Sequence, residues 1–68
     1  EGKARGTARE FRRFLFMARG SLEETKYQIY LARDLNYIDE RKYKKVQKSM
    51  NEVGRLLAGL IKSISSRQ

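Results

Sequence analysis

Sixty-eight residues allow one small domain at most, the size at which a single core is barely sufficient. The chain has no Cys and no His, which removes disulfides, thiolate chemistry, the commonest metal ligand and the commonest general base. Sixteen Lys and Arg against eight Asp and Glu leave a net charge of +8, which draws the chain to polyanions or else serves only solubility. Composition leaves those two readings level. Apolar runs are only a few residues long, so no membrane span and no signal peptide is expected, and the default location is the cytoplasm.

The chain opens on Glu1-Gly2-Lys3-Ala4-Arg5-Gly6, a glycine-bearing lead-in read as the end of a preceding helix and a loop. Thr7-Ala8-Arg9-Glu10 then has the form of a capping box, in which Thr7 and Glu10 each satisfy an open backbone N–H. From there Phe11, Leu15, Ala18, Leu22, Thr25, Ile29 and Ala32 recur at alternating spacings of four and three, one stripe of a helix. The pattern predicts a helix over residues 8–35, roughly 42 Å long. Phe16, Gly20, Tyr27 and Leu31 form a second stripe nearly opposite the first. Two apolar faces on one helix point to burial on both, so these four residues are the expected oligomer interface. The bland alternative is a pair of scattered surface aromatics around a glycine.

Asn36 suits a left-handed helix terminator, with Tyr37 and Ile38 folding back over the last turn, and Asp39 suits an N-cap for a second helix over residues 40–65. Its apolar positions are Tyr43, Val46, Met50, Val53, Leu57, Leu60 and Ile64, again three and four apart. So short a connection forces the helices antiparallel. The fold class is therefore all-α: an antiparallel helical hairpin forming half of an up-down four-helix bundle. Two helices cannot enclose both their own stripes, so further helices are expected, from the same sequence or from other chains.

No constellation supports an enzyme, a cofactor or a metal. Glu23-Glu24 and Asp39-Glu40 are adjacent pairs, and adjacent helical residues do not face each other. Ser21, Glu24 and Gln28 share a face and read as an interhelical hydrogen-bond set. Tyr27, Tyr30, Tyr37 and Tyr43 have the chemistry to stack on bases, although position assigns Tyr37 and Tyr43 to packing. The basic residues carry the functional signal. Arg9, Arg12 and Arg13 crowd the predicted first turns, where the helix dipole disfavours cations by roughly 0.3–1 kcal/mol each. Lys3 and Arg5 lie just upstream, and antiparallel packing brings Lys62 and Arg67 alongside. Lys44, Lys48, Arg55 and Lys62 form a stripe opposite the second helix's apolar face. Arg5, Arg9, Arg12, Arg13, Lys44, Lys48, Arg55 and Lys62 are thus the expected contacts to an anionic partner, RNA or DNA, through phosphates rather than bases. The competing reading is a solvated face, partly neutralised through Lys48–Glu52 and Arg19–Glu23.

Several of these residues together resemble a known family, the four-helix-bundle proteins named after 23S rRNA intervening sequences. The resemblance rests on Glu1-Gly2, Arg5, Thr7, Glu10-Phe11, Phe14-Leu15, Ala18, Gly20-Ser21-Leu22 and Glu24. It continues through Ala32-Arg33, Leu35, Tyr37-Ile38, Gly54-Arg55-Leu56 and Gly59-Leu60-Ile61, with Ala4 standing where the family usually has Gly. The resemblance implies that the chain is the C-terminal half of such a bundle, with two helices preceding it. It also implies homo-oligomeric rings, commonly pentamers, and, by similarity to relatives in diversity-generating retroelements, nucleic-acid binding beside a reverse transcriptase or another protein. The resulting expectation is a non-enzymatic nucleic-acid backbone binder or accessory factor. A structural oligomer that recruits a protein partner is the rival.

Overall fold

The computed structural model describes the backbone of residues 2–66 and the side chains of residues 7–66. It consists of α1 (Gly2–Asp34) and α2 (Glu40–Ser66), packed along their length as a hairpin. There is no strand among the described residues.

The turn is built locally, by the residues the sequence points to. Asn36 has a φ of 65°, the left-handed conformation that Asn tolerates better than most residues. That geometry lets the Tyr37 N–H donate to the Ala32 carbonyl at 2.8 Å and the Asn36 N–H to the Arg33 carbonyl at 3.0 Å. The two bonds satisfy the last open carbonyls of α1 in a Schellman arrangement. Asp39 then opens α2, its Oδ1 accepting from the Lys42 N–H at 2.8 Å. Tyr37 does not pack over the last turn as expected; it is 79% exposed.

Where α1 begins differs from the sequence reading. The helix runs through Thr7 from Gly2, so Thr7 is an interior residue and the capping-box start is displaced upstream. Lys3, Ala4 and Arg5 are good helix formers, and extending an existing helix costs far less than starting one. One energetic argument falls with this. Arg9, Arg12 and Arg13 sit beyond the first turn, where the dipole's effect has already decayed.

The seam between the helices is narrow. Leu15 from α1 and Tyr43, Met50 and Ile61 from α2 are buried, with Leu22, Ile29, Leu57 and Ile64 half-buried around them. At Gly54 a Cβ would lie 3.4 Å from Leu22 Cδ2, so the glycine marks a close approach of the two helices. On α1 the buried line is rotated from the predicted stripe. Leu15, Leu22, Ile29 and Ala32 turn inward, but Phe11, Ala18 and Thr25 are exposed, and Arg12, Lys26 and Arg33 are half-buried in their place. Arg12 reaches Ser65 across the seam, and Arg33 reaches the Tyr43 ring and Glu40. On α2, Val46, Val53 and Leu60 remain partly exposed, whereas Ile61, outside the predicted stripe, is buried.

A radius of gyration of 15.7 Å, against about 11 Å for a compact domain of this length, shows how little of itself the hairpin encloses. Antiparallel packing also fixes how its two broad sides are made. Residues rotated in the same sense from the seam emerge on the same side of the hairpin, whichever helix carries them. Phe11, Phe14 and Ala18 therefore share one side with Val46, Val53, Leu56 and Leu60. Arg12, Phe16, Arg19 and Tyr27 share the other with Lys44, Asn51, Arg55 and Lys62.

Because Asp39 caps the N-terminus of α2 with its side chain, Asp39→Ala should lower stability by about 1 kcal/mol, while Asp39→Asn retains most of it. Denaturant unfolding of the two variants beside the parent measures this directly; an Ala variant as stable as the parent would remove the cap from the account.

Candidate nucleic-acid interface

The cationic side of the hairpin has two parts. Near the open end, Arg9, Arg12, Arg13 and Phe16 line one hollow. The Arg12 guanidinium stands 5.5 Å from the Phe16 ring centroid and that of Arg19 stands 4.9 Å away. Arg12 also ties the helices together there, its Nε donating to Ser65 Oγ at 3.1 Å. This bond places the α1 arginines beside the end of α2, close to Lys62. Further along, Arg19, Glu23, Lys26, Asn51, Gly54, Arg55 and Ala58 line a groove between the helices. Gly54 and Ala58 give it a small-residue floor, and Arg19 and Arg55 flank it.

Ion pairing decides what these charges can do. Glu23 pairs with Lys26 at 3.4 Å rather than with Arg19. Near the turn, Arg33 takes Glu40 at 3.4 Å and Asp34 at 4.0 Å, and its guanidinium lies 5.1 Å from the Tyr30 ring and 4.3 Å from the Tyr43 ring. The acidic residues of this side are thus each engaged, and the turn end is locally neutral. Among the described residues, Arg9, Arg12, Arg13, Arg19, Lys44, Lys48, Arg55 and Lys62 form no ion pair, and the neutralising pairs Lys48–Glu52 and Arg19–Glu23 are not made. Seven of these side chains are exposed and Arg12 is half-buried.

The sequence-predicted cations divide accordingly. Arg9, Arg12 and Arg13 line one hollow near the open end, Arg55 borders the groove, and Lys44, Lys48 and Lys62 extend along α2 on the same side. Arg13 stands at the edge, lining the Phe16 hollow and also a second hollow with Glu10, Phe14 and Met17. The side chain of Arg5 and the whole of Arg67 lie outside the described residues, as does the side chain of Lys3. Arg19 and Asn51 were missed. Arg19 had a signal: Arg12, Arg19, Lys26 and Arg33 recur every seven residues, the spacing that keeps a row in register with a helical partner.

The remaining expectations are placed as follows. Phe16, Tyr27 and Leu31 are exposed at 40%, 62% and 37%, and a Cβ at Gly20 would meet open space. This stripe borders the cations, whereas Phe11, Phe14, Val53, Leu56 and Leu60, all exposed, lie on the opposite side, with exposed Met17 beside Phe14 on the outer face of α1. Ser21, Glu24 and Gln28 are exposed and make no hydrogen bond with one another, so the interhelical set is not formed in the hairpin. No helix among the described residues is long and apolar enough to cross a membrane.

An all-α hairpin with one cationic side and one apolar side is an element of a helical bundle. The family model of the 23S rRNA-intervening sequence protein matches residues 1–59, and the chain belongs to that family. No curated protein and no solved structure matches it.

The close approach at Gly54 gives a test of this groove's floor. Gly54→Ala should be neutral or stabilising, since its Cβ makes an ordinary contact and the helix gains up to about 1 kcal/mol in propensity. Gly54→Leu should destabilise by roughly 1–3 kcal/mol through overpacking against Leu22. Thermal unfolding of both variants distinguishes a packed crossing, where the two changes have opposite signs, from a loose one, where both stabilise.

Proposed function

We propose that this chain is part of a non-enzymatic, homo-oligomeric helical-bundle protein that binds RNA or DNA through the phosphate backbone, as an accessory factor in the cytoplasm. One observation carries the reading: most of the cations without an ion pair stand on one broad side of the hairpin, where Glu23, Asp34 and Glu40 are already engaged by Lys26 or Arg33. A surface charged only for solubility needs no such segregation. Most of these cations are exposed guanidinium or ammonium groups on rigid helices, and phosphate contacts of this kind position a nucleic acid without reading its sequence. The family's name, which refers to an rRNA intervening sequence, is compatible with such a partner.

Assembly follows from the opposite side. Phe14, Met17 and Leu56 are 63%, 58% and 62% exposed, too much contiguous apolar surface to leave in water. That surface supports burial against further helices of the bundle, and it equally supports the second reading, an oligomeric adaptor that recruits a protein partner such as a reverse transcriptase. Full-length protein should sediment as an oligomer, and Phe14→Glu with Leu56→Glu should lower its size or its folded fraction. Unchanged assembly in that double variant moves the contact to the Phe16–Gly20–Tyr27–Leu31 stripe.

Binding is tested by salt. Affinity for nucleic acid should fall with a log–log slope of roughly 0.7–0.9 times the number of phosphate contacts. Arg9→Ala, Arg55→Ala and Lys62→Ala should each reduce that slope by about one, evenly across sequences. Lys42→Ala, on the apolar side of α2, should leave it unchanged. Absence of binding at low salt ends this reading in favour of the adaptor.

A further inference from the structure

We propose that the cationic side takes single-stranded rather than duplex nucleic acid, with unpaired bases stacking on Phe16 and Tyr27. This rests on the phosphate-binding reading above and specifies its ligand. Phosphate contacts alone do not distinguish one strand from two. Exposed aromatic rings among the cations do, because a duplex keeps its base faces stacked inside while a single strand can present them.

The rings are in the right place. Phe16 is 40% exposed and Tyr27 62% exposed, both on the side of α1 that carries Arg9, Arg12 and Arg19. They are eleven residues apart, roughly 16 Å along the helix. That distance spans about five nucleotides at the 3.4 Å rise of a stacked strand, and fewer when the strand is extended. The Arg12 and Arg19 guanidiniums stand over the Phe16 ring, so a base binds there by taking the place of one of them or by stacking on its plane, with the charge at hand for a phosphate. Tyr30 is as exposed as Phe16 and also lies under a guanidinium, but that of Arg33 has its charge taken by Asp34 and Glu40, whereas Arg12 and Arg19 form no ion pair. Tyr43 is buried and offers no face.

Charge chooses the occupant of this stripe. A second copy of the chain would bring its own net charge of +8 against unpaired arginines. A polyanion relieves the same repulsion, and the apolar side of the hairpin is the better self-contact.

The experiment compares a 20-nucleotide single strand with a 20-base-pair duplex of the same sequence, by fluorescence anisotropy at several salt concentrations, using full-length protein. The single strand should bind more tightly. Phe16→Leu and Tyr27→Leu should each weaken it about fivefold or more, the order expected for a lost base–aromatic stack, with the salt slope intact. Both should change duplex binding less than twofold, and Tyr27→Phe should retain the parent's single-strand affinity. Helix content by circular dichroism confirms that the variants are folded. Equal affinity for the two probes, or aromatic variants that bind like the parent, overturns this inference and leaves phosphate binding standing. A change in oligomer size on Phe16→Leu with single-strand affinity unaltered also overturns it, assigning the stripe to a subunit contact. Failure to bind either probe at low salt removes the phosphate-binding reading as well.

Discussion

Two antiparallel helices joined by a five-residue turn touch along one line, and a line of contact buries about one residue per turn from each partner. Leu15, Tyr43, Met50 and Ile61 occupy that line, and no side chain among the described residues is fully buried. The hairpin therefore has two large sides whose character the contact does not dictate. Their chemistry is free to differ, and it does: aromatic and aliphatic residues dominate one side, guanidinium and ammonium groups the other. Each side's chemistry is what the seam leaves over.

The turn is what keeps the two sides in register. The left-handed Asn36 and the Asp39 cap fix where α1 stops and α2 starts, and so fix the rotation of one helix against the other. A one-residue change in the loop would rotate α2 by about 100° and mix the two sides. Packing at Gly54 against Leu22 and the Arg12–Ser65 hydrogen bond hold the same register further along and at the open end. Arg12 thereby has two roles, since it closes the hairpin with Nε and still offers its terminal nitrogens near Phe16.

The features legible in the sequence were those that depend on near neighbours. Helix existence, the Asn36 terminator, the Asp39 cap and the inward residues Leu15, Leu22, Tyr43 and Met50 follow from spacing and local backbone chemistry. The exact rotation of α1 did not, because its apolar arc is wider than the seam. Phe11 and Ala18 satisfy the same periodicity as Leu15 and Leu22, and only the neighbouring helix determines which of them it covers. Lys26 and Arg33 looked like surface residues because charge, not the length of the aliphatic stem, dominates a hydropathy reading. The start of α1 was misplaced because Thr7 and Glu10 have the composition of a cap wherever they sit. Ion pairing was illegible for a different reason: Glu23 had Arg19 four residues before it and Lys26 three after it, both within helical reach, and Arg33 finds Glu40 only through the turn.

Segregating charge in this way has a thermodynamic consequence for the protein itself. Along α2, Lys44, Lys48, Arg55 and Lys62 are four, seven and seven residues apart, so neighbouring charges lie roughly 6–10 Å apart along the axis. That is comparable to the Debye length of about 8–10 Å at ionic strengths of 0.1–0.15 M, so repulsion among them is reduced but not abolished. Without acidic partners, the row opposes its own folding, and added salt relieves that opposition. Salt acts on a bound polyanion in the other direction, since it removes the advantage of releasing condensed counterions. Raising salt should thus strengthen the fold while it weakens binding. On the phosphate-binding reading proposed above, an anionic partner would stabilise the hairpin most where the hairpin is least stable by itself, at low salt, because the same unpaired charges would govern both equilibria.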